Sequence, residues 1–161
     1  IITDDFFGII LADDLILSEP GCLKQLLEIH EKTQSSVLGV FSASENKVSN
    51  YGVISSKNID GLEKVDGIVE KPKPADAPSN LAVFGRYILS KEIFLNIEQT
   101  KPGLNNEIQL TDAIQDLISN QDVFALEFEG RRFDCGSKEG YISAIIDRAS
   151  SIDKFKSIIE K

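Results

Sequence analysis

Phe6-Phe7-Gly8-Ile9-Ile10-Leu11 is an unbroken apolar run that stops at Ala12-Asp13-Asp14, and Val37-Leu38-Gly39-Val40-Phe41 is a second such run further on. Short runs of β-branched and aromatic residues of this kind predict strands buried on both faces of a parallel sheet. Between them, Ser18-Glu19-Pro20-Gly21 carries helix-start signals, with Ser18 as N-cap and Pro20 in the first turn. Leu23, Leu26, Leu27 and His30 then follow at i, i+3, i+4 and i+7, one apolar stripe running to about Thr33. Strand, helix and strand in succession predict an α/β fold with a right-handed crossover. Asp13 and Asp14 thereby stand at the carboxyl end of a core strand, the edge where open α/β sheets bind ligands.

The remainder extends this pattern. Residues 42–50 are polar and read as loop. Tyr51–Ser55 and Lys64–Glu70 read as strands joined through the turn-rich segment Ser56–Gly61. Pro72, Pro74 and Pro78 make the segment 71–78 an irregular surface loop. Leu81–Leu89 reads as a strand, with Ser90 capping a short helix through about Glu98. After a loop over 101–106, a helix over Thr111–Ser119 turns Leu110, Ala113, Ile114, Leu117 and Ile118 to one side. Val123–Phe128 alternates like a half-exposed strand. Gly130–Gly136 is a turn, and Ser137 caps a helix carrying Tyr141, Ala144, Ile145 and Ala149. Ser151 opens a last amphipathic helix with Ile152, Phe155, Ile158 and Ile159. No repeat or long linker divides the chain, so a single α/β domain with a mixed sheet is expected over residues 1–161.

Composition narrows the function classes. The 161 residues are 42% hydrophobic and 27% charged, enough for a sizeable core. With 26 acidic residues against 17 Lys and Arg, the net charge of −9 argues against a nucleic-acid binder, since phosphate backbones are held by surplus cations. No run is long enough to span a bilayer, and no secretory signal opens the chain, so no membrane partner is expected. Cys22 and Cys135 are too few for a disulfide scaffold or a multi-cysteine zinc site and read as reduced thiols of a cytoplasmic protein. The absence of Met and the opening Ile1-Ile2, which looks like mid-fold sequence, point to a processed or fragmentary start.

Few residue types here carry chemistry. Asp13 and Asp14 are either solvated turn residues or ligands of a hard cation such as Mg²⁺ that in turn holds phosphate oxygens. Asp134, in Phe-Asp-Cys-Gly, either bonds the backbone of its own turn or binds the same kind of metal. Glu70-Lys71-Pro72 sets an acid and a base together where a strand stops. A carboxylate there suits sugar hydroxyls and a point-like ammonium suits the adjoining phosphate, although Glu-Lys-Pro is also common on solvated surfaces. Gly52 either marks a strand bulge or lets a ligand approach the backbone. His30, the sole histidine, lies on a helix stripe and reads as a packed, hydrogen-bonded residue. Without a paired nucleophile, Ser–His and Cys–His catalysis lack support. Phosphate-cradling P-loop and dinucleotide fingerprints are absent.

Taken in order, six segments resemble the bacterial UTP–glucose-1-phosphate uridylyltransferases. They are Phe7–Leu17 (FGIILADDLIL), Tyr51–Ile54 (YGVI), Val69–Pro72 (VEKP), Pro78–Tyr87 (PSNLAVFGRY), Asn106–Ile114 (NEIQLTDAI) and Phe133–Gly136 (FDCG). The resemblance spans nearly the whole chain. It implies a Rossmann-like nucleotidyltransferase α/β sandwich and synthesis of UDP-glucose and pyrophosphate from UTP and glucose 1-phosphate with Mg²⁺. Carried over motif by motif, Asp13 resembles the Mg²⁺ ligand and Asp134 the second acid near the metal. Glu70 resembles the residue holding glucose hydroxyls, and Lys71 the one holding the sugar phosphate. Gly52 resembles a backbone contact to the sugar, and Val83 and Tyr87 resemble further lining of the pocket. Lys71 and Asp13 are the residues expected to carry catalysis. The run Asn106–Ile114 is expected to be a structural helix start beside the pocket, outside the catalytic machinery.

The beginning departs from the family. Its members open with a strand and a G-x-G-T-R loop followed by a Pro-Lys segment, which hold the nucleoside triphosphate. Neither is present here. An amino-terminally truncated chain lacking the first βαβ units is therefore expected, without base recognition, inactive alone and prone to associate. Two alternatives stay open: a glucose-1-phosphate thymidylyltransferase-type enzyme, and a non-catalytic paralogue that binds sugar nucleotides. The family commonly forms homo-oligomers, and the carboxyl-terminal helices either supply such an interface or cover the sheet.

Overall fold

The computed structural model describes residues 2–103 and 106–159. Six strands form a mixed sheet: β1 (Phe6–Ile10), β3 (Ser36–Ser42), β4 (Gly52–Ile59), β5 (Leu62–Glu70), β6 (Leu81–Ser90) and β7 (Val123–Glu127). Their spatial order is β1-β6-β3-β7-β5-β4. Among the described residues only β3 and β7 pair in parallel, and the other pairings are antiparallel. A separate two-stranded antiparallel ribbon joins β2 (Asp14–Leu17) to β8 (Arg131–Asp134).

The long strand β6 organises the sheet. It lies between β1 and β3, antiparallel to both, and also touches β4 at Val53–Ala82. Alternation along the central strands sends adjacent residues to opposite layers. In β3, Val37 joins Leu26, Phe84 and Ile88 under helix α1 (Cys22–Thr33). Its neighbour Leu38 joins Ile54, Leu89, Ile114 and Leu117 on the other side, with α2 (Ile93–Gln99) and α3 (Leu110–Ile118). The result is a three-layer α/β/α arrangement with its core on both faces of β3 and β6.

Several expectations need correction. The run Phe6–Ile10 is strand but not doubly buried, because its sheet partner among the described residues is antiparallel β6 alone, and Ile10 is 59% exposed. Conversely, β7 is not half-exposed. It sits between β3 and β5, so Val123, Phe124 and Ala125 are buried in succession. Residues 42–50 are more ordered than a loop, with a 3-10 turn at Glu45–Asn50 anchored by buried Val48 among Ala43, Val53 and Ala82. Strands β4 and β5 run on into the segment expected to be turn. Their connection is just Asp60-Gly61, both at positive φ, as two-residue hairpins of this twist require.

Ser18 does not cap α1, which starts after Gly21 without a side-chain cap. Ser90 ends β6, and its N–H donates to Ser36 Oγ. Ser137 does cap α4 (Lys138–Ser150), accepting the Gly140 N–H at 3.0 Å. His30 is packed as expected, its Nδ1 2.8 Å from the Ser35 carbonyl oxygen and its ring 4.6 Å from that of Phe6. Both cysteines are free, and burial pushes the Cys22 thiol up to about 11.

Helix α4 contacts both β8 and helix α5 (Asp153–Ile159). Ala144 is buried there, while Tyr141, Ile142, Ile145 and Ile146 are about half exposed. No helix among the described residues is long and apolar enough to cross a membrane.

The layers predict a contrast in stability. Leu38→Ala, at a fully buried position touching both β6 and α3 surroundings, is expected to lower the unfolding free energy by about 2–5 kcal/mol. Ile145→Ala on the open side of α4 is expected to change it by about 0.5 kcal/mol or less. Urea unfolding of the two variants checks both, and equal effects would contradict this layering.

Candidate active site

A cavity of about 430 Å³ opens where β4 begins, β5 ends, β6 passes through its middle and the β2–β8 ribbon joins the sheet. The antiparallel β4–β5 pairing sets Gly52 opposite Glu70, and the ribbon register sets Asp14 opposite Asp134. Sheet topology thus gathers Asp13, Gly52, Glu70, Lys71, Val83, Tyr87 and Asp134, distant in sequence, around one space.

Glu70 and Lys71 both face it, which a continuing strand would forbid, since consecutive side chains alternate sides. Lys71 adopts a left-handed φ of 45°, and its N–H donates to the Tyr51 carbonyl at 3.0 Å. That conformation costs a side-chain-bearing residue about 1 kcal/mol or more and breaks the alternation. The Lys71 ammonium lies 3.3 Å from Glu70 Oε1, while Glu70 Oε2 accepts the Thr111 hydroxyl at 3.0 Å. Thr111 is buried at the start of α3. The Asn106–Ile114 run therefore does more than begin a helix near the pocket: its Thr111 orients a cavity carboxylate. Asn105, one residue before that run, lies outside the described residues.

Gly52 has no room for a side chain. A Cβ there would stand 2.6 Å from Thr111 Cγ2 and 3.0 Å from Val83 Cγ2. The β4–β5 irregularity lies at Ser55–Ser56, so Gly52 is not a bulge, and it leaves bare backbone in the cavity wall.

The two adjacent acids part company. Asp14 is buried, with Oδ1 accepting Arg132 Nε at 2.5 Å and Oδ2 accepting the Gly85 N–H at 3.0 Å. Both of its oxygens are thus engaged by donors of the protein itself. Asp13 is exposed, and its carbonyl accepts the Cys135 N–H at 2.7 Å, tying the turn before β2 to the turn after β8. Asp134 accepts the Gly136 N–H on Oδ1 and the Tyr51 hydroxyl on Oδ2, each at 3.2 Å. A methyl placed on Gly136 would lie 3.1 Å from Asp13 Oδ2 and 3.2 Å from Asp134 Oδ1, so the two carboxylates face each other across that glycine.

Their oxygen chemistry fits Mg²⁺, which takes one or two carboxylates and completes its shell with water and phosphate oxygens. Among the described residues no group of three His, Cys, Asp or Glu side chains could hold a metal by itself. A cation here would therefore depend on oxygens supplied by substrate.

Arg132, Arg86 and Tyr51 escaped the sequence reading. Arg132 is half of an Arg131-Arg132 pair of which strand alternation turns one inward. Arg131 points outward to Asp147, whereas Arg132 lies against the Phe41, Tyr51 and Phe84 rings. Burial works against its charge, but Tyr51 and Asp14 more than offset this and hold the guanidinium above its ordinary pKa. Arg86 is also buried and donates to the carbonyls of Leu11, Asp14 and Gly85, bracing the turn that carries Asp13.

The nucleotidyl transferase family matches residues 1–151, and the chain belongs to that family. More particularly, it is 46% identical over 147 residues to a UTP–glucose-1-phosphate uridylyltransferase of Pseudomonas aeruginosa, covering 89% of this chain and 53% of that protein. A UTP–glucose-1-phosphate uridylyltransferase 2 of Streptococcus pyogenes is 45% identical over 149 residues, covering 89% of this chain and 50% of that protein. Among solved structures, a UDP-glucose pyrophosphorylase complexed with UDP-glucose superposes with a TM-score of 0.89 at 44% identity, covering 94% of this chain and 58% of that one. A UTP-bound UGPase from Acinetobacter baumannii gives 0.81 at 33% identity, covering 98% and 55%. The chain thus spans about half the length of the relatives it matches. A Bacillus anthracis structure described as a putative glucose-1-phosphate thymidylyltransferase shares the fold, with a TM-score of 0.68 at 21% identity and coverage of 88% and 54%.

Burial, then the charges of Asp14 and Glu70, raise the Tyr87 phenol above its ordinary pKa, with Arg132 opposing. The folded protein holds this proton more tightly than the unfolded chain, so the contribution is whole below about pH 10 and is lost as pH rises above it. Tyr87→Phe is expected to flatten the alkaline fall in stability measured by urea unfolding. Equal slopes for the two proteins would show that Tyr87 titrates normally.

Proposed function

We propose that the whole protein is a UTP–glucose-1-phosphate uridylyltransferase whose sugar-phosphate and cation side this chain provides. The observation that carries the reading is the convergence of two unlike pairs, Asp13 with Asp134 and Glu70 with Lys71, on one cavity. The identity to uridylyltransferases over most of the chain supports the same assignment.

The reaction suits these residue types. A phosphate oxygen of glucose 1-phosphate is already a nucleophile at neutral pH, which makes a general base unnecessary. It forms a bond to the α-phosphorus of UTP as the bond to the departing pyrophosphate breaks, yielding UDP-glucose. The task of the protein is to align two anions that repel each other and to offset their charge. Glu70, oriented by Thr111, accepts hydrogen bonds from glucose hydroxyls. Lys71 places its ammonium on the sugar phosphate, leaving its contact with Glu70. Gly52 presents backbone to the sugar, and Val83 and Tyr87 shape the wall around it. Asp13 and Asp134 would hold Mg²⁺, which when bound supplies positive charge to the phosphate oxygens.

Pyrophosphate release from glucose 1-phosphate with UTP, dTTP, GTP or ATP tests the assignment on the protein expressed from its natural gene. A UTP preference that EDTA abolishes is expected. A dTTP preference would move it to the thymidylyltransferases. Absence of release with every nucleotide, alongside retained UDP-glucose binding, would make it a non-catalytic paralogue.

Lys71→Ala is expected to lower kcat on the order of 100-fold, with a smaller rise in KM for glucose 1-phosphate. An unchanged kcat in steady-state assays would remove Lys71 from the transition state.

A further inference from the structure

We propose that Tyr51 and Arg132 are positioning residues that aim the Asp134 carboxylate and thereby set the site's affinity for a divalent cation. The inference rests on the proposed reading of Asp13 and Asp134 as the carboxylates that hold that cation.

The geometry is a relay that starts in the middle of the sheet. The Gly85 N–H of β6 fixes Asp14 at 3.0 Å, and Asp14 takes Arg132 Nε at 2.5 Å. Arg132 Nη1 reaches the Tyr51 oxygen at 3.4 Å, and the Tyr51 hydroxyl donates onward to Asp134 Oδ2 at 3.2 Å. Arg132 Nη2 stands 3.8 Å from that same oxygen. The upstream members are immobilised, since the Asp14 and Arg132 side chains are 10% and 12% exposed. Asp134 at the far end is 42% exposed. A half-exposed carboxylate on a short ribbon would otherwise sample several rotamers, and here one oxygen is gripped from the core side. The grip leaves Oδ1 on the Gly136 side, facing Asp13.

A purely structural role for Arg132 is the rival explanation. In that case the guanidinium only fastens the ribbon to the sheet, and the Tyr51 hydroxyl is incidental. The two accounts separate at Tyr51, because Tyr51→Phe keeps the ring packed edge-on against Phe41 and beside Arg132 and removes only the hydroxyl, which donates to Asp134 and accepts a longer contact from Arg132.

The test measures Mn²⁺ binding by the electron spin resonance of the free ion, at saturating UDP-glucose, on the protein expressed from its natural gene. Tyr51→Phe is expected to weaken Mn²⁺ binding about 10-fold and Arg132→Lys between about 10- and 100-fold, the range typical for residues that orient metal ligands. Cation-free UDP-glucose affinity and the far-UV circular dichroism of Tyr51→Phe are expected to match the parent. Tyr51→Phe that is folded and binds Mn²⁺ within about twofold of the parent overturns the proposal, whatever Arg132→Lys does to stability. A parent protein that binds UDP-glucose but no Mn²⁺ overturns the underlying carboxylate reading, and the proposal with it.

Discussion

The buried ion pair between Asp14 and Arg132 is the joint on which the cavity depends. Both members lie in the β2–β8 ribbon, the Gly85 N–H on Asp14 ties them to the middle of β6, and the walls on either side carry the remaining candidate residues. Such a pair is weak as a source of net stability, because each charge is stripped of water. Its effect is positional. Its members have defined neighbours: the Gly85 N–H on Asp14, the Tyr51 oxygen on Arg132, and the Phe41 and Phe84 rings against the guanidinium. Losing one member would leave the other buried and unpaired, a penalty of about 3–5 kcal/mol, so the ribbon has one low-energy seat on the sheet.

That joint also determines the electrostatics of the cavity. Asp14 cancels Arg132 at short range, and Glu70 partly engages Lys71, so neither cation is wholly available to a phosphate. Asp134 has Arg132 only at 3.8 Å and shares it with Asp14, so the Asp13–Asp134 side stays acidic on a protein already nine charges negative. An anionic ligand entering this space would be repelled unless it arrived with a cation. Under the proposed function, a divalent ion held by the two carboxylates would reconcile an acidic protein with two anionic substrates.

The sequence carried the α/β class, the mixed sheet and most elements, because short apolar runs and helical stripes are local signals. It did not carry strand order. Phe6–Ile10 and Val123–Glu127 have similar composition, yet one edges the described sheet and the other is central, a difference made by neighbours far along the chain. The candidate site was legible only as residue types in ordered motifs. Glu70, Lys71, Asp13 and Asp134 stand in those motifs, whereas Arg132 and Tyr51 matter through contacts across 118 and 83 residues of chain. Arg131 beside Arg132 gives no local cue to which of the two turns inward.

The two adjacent charged pairs show how backbone conformation decides what composition leaves open. In Asp13-Asp14, strand β2 begins at the second acid, so ordinary alternation sends Asp14 into the protein and leaves Asp13 at the cavity. In Glu70-Lys71, alternation would have separated the acid from the base. The left-handed φ of Lys71 cancels it, and both side chains reach the same space. The cost of that conformation is borne by the Tyr51 carbonyl bond to the Lys71 N–H and by the close fit of Gly52 against Thr111 and Val83. Tyr51 consequently serves both halves of the cavity, its carbonyl fixing the turn at Lys71 and its hydroxyl gripping Asp134. A shift of this one residue would move the Lys71 ammonium and the Asp134 carboxylate together, so the spacing between the Glu70–Lys71 side and the Asp13–Asp134 side of the cavity is tied to a single residue.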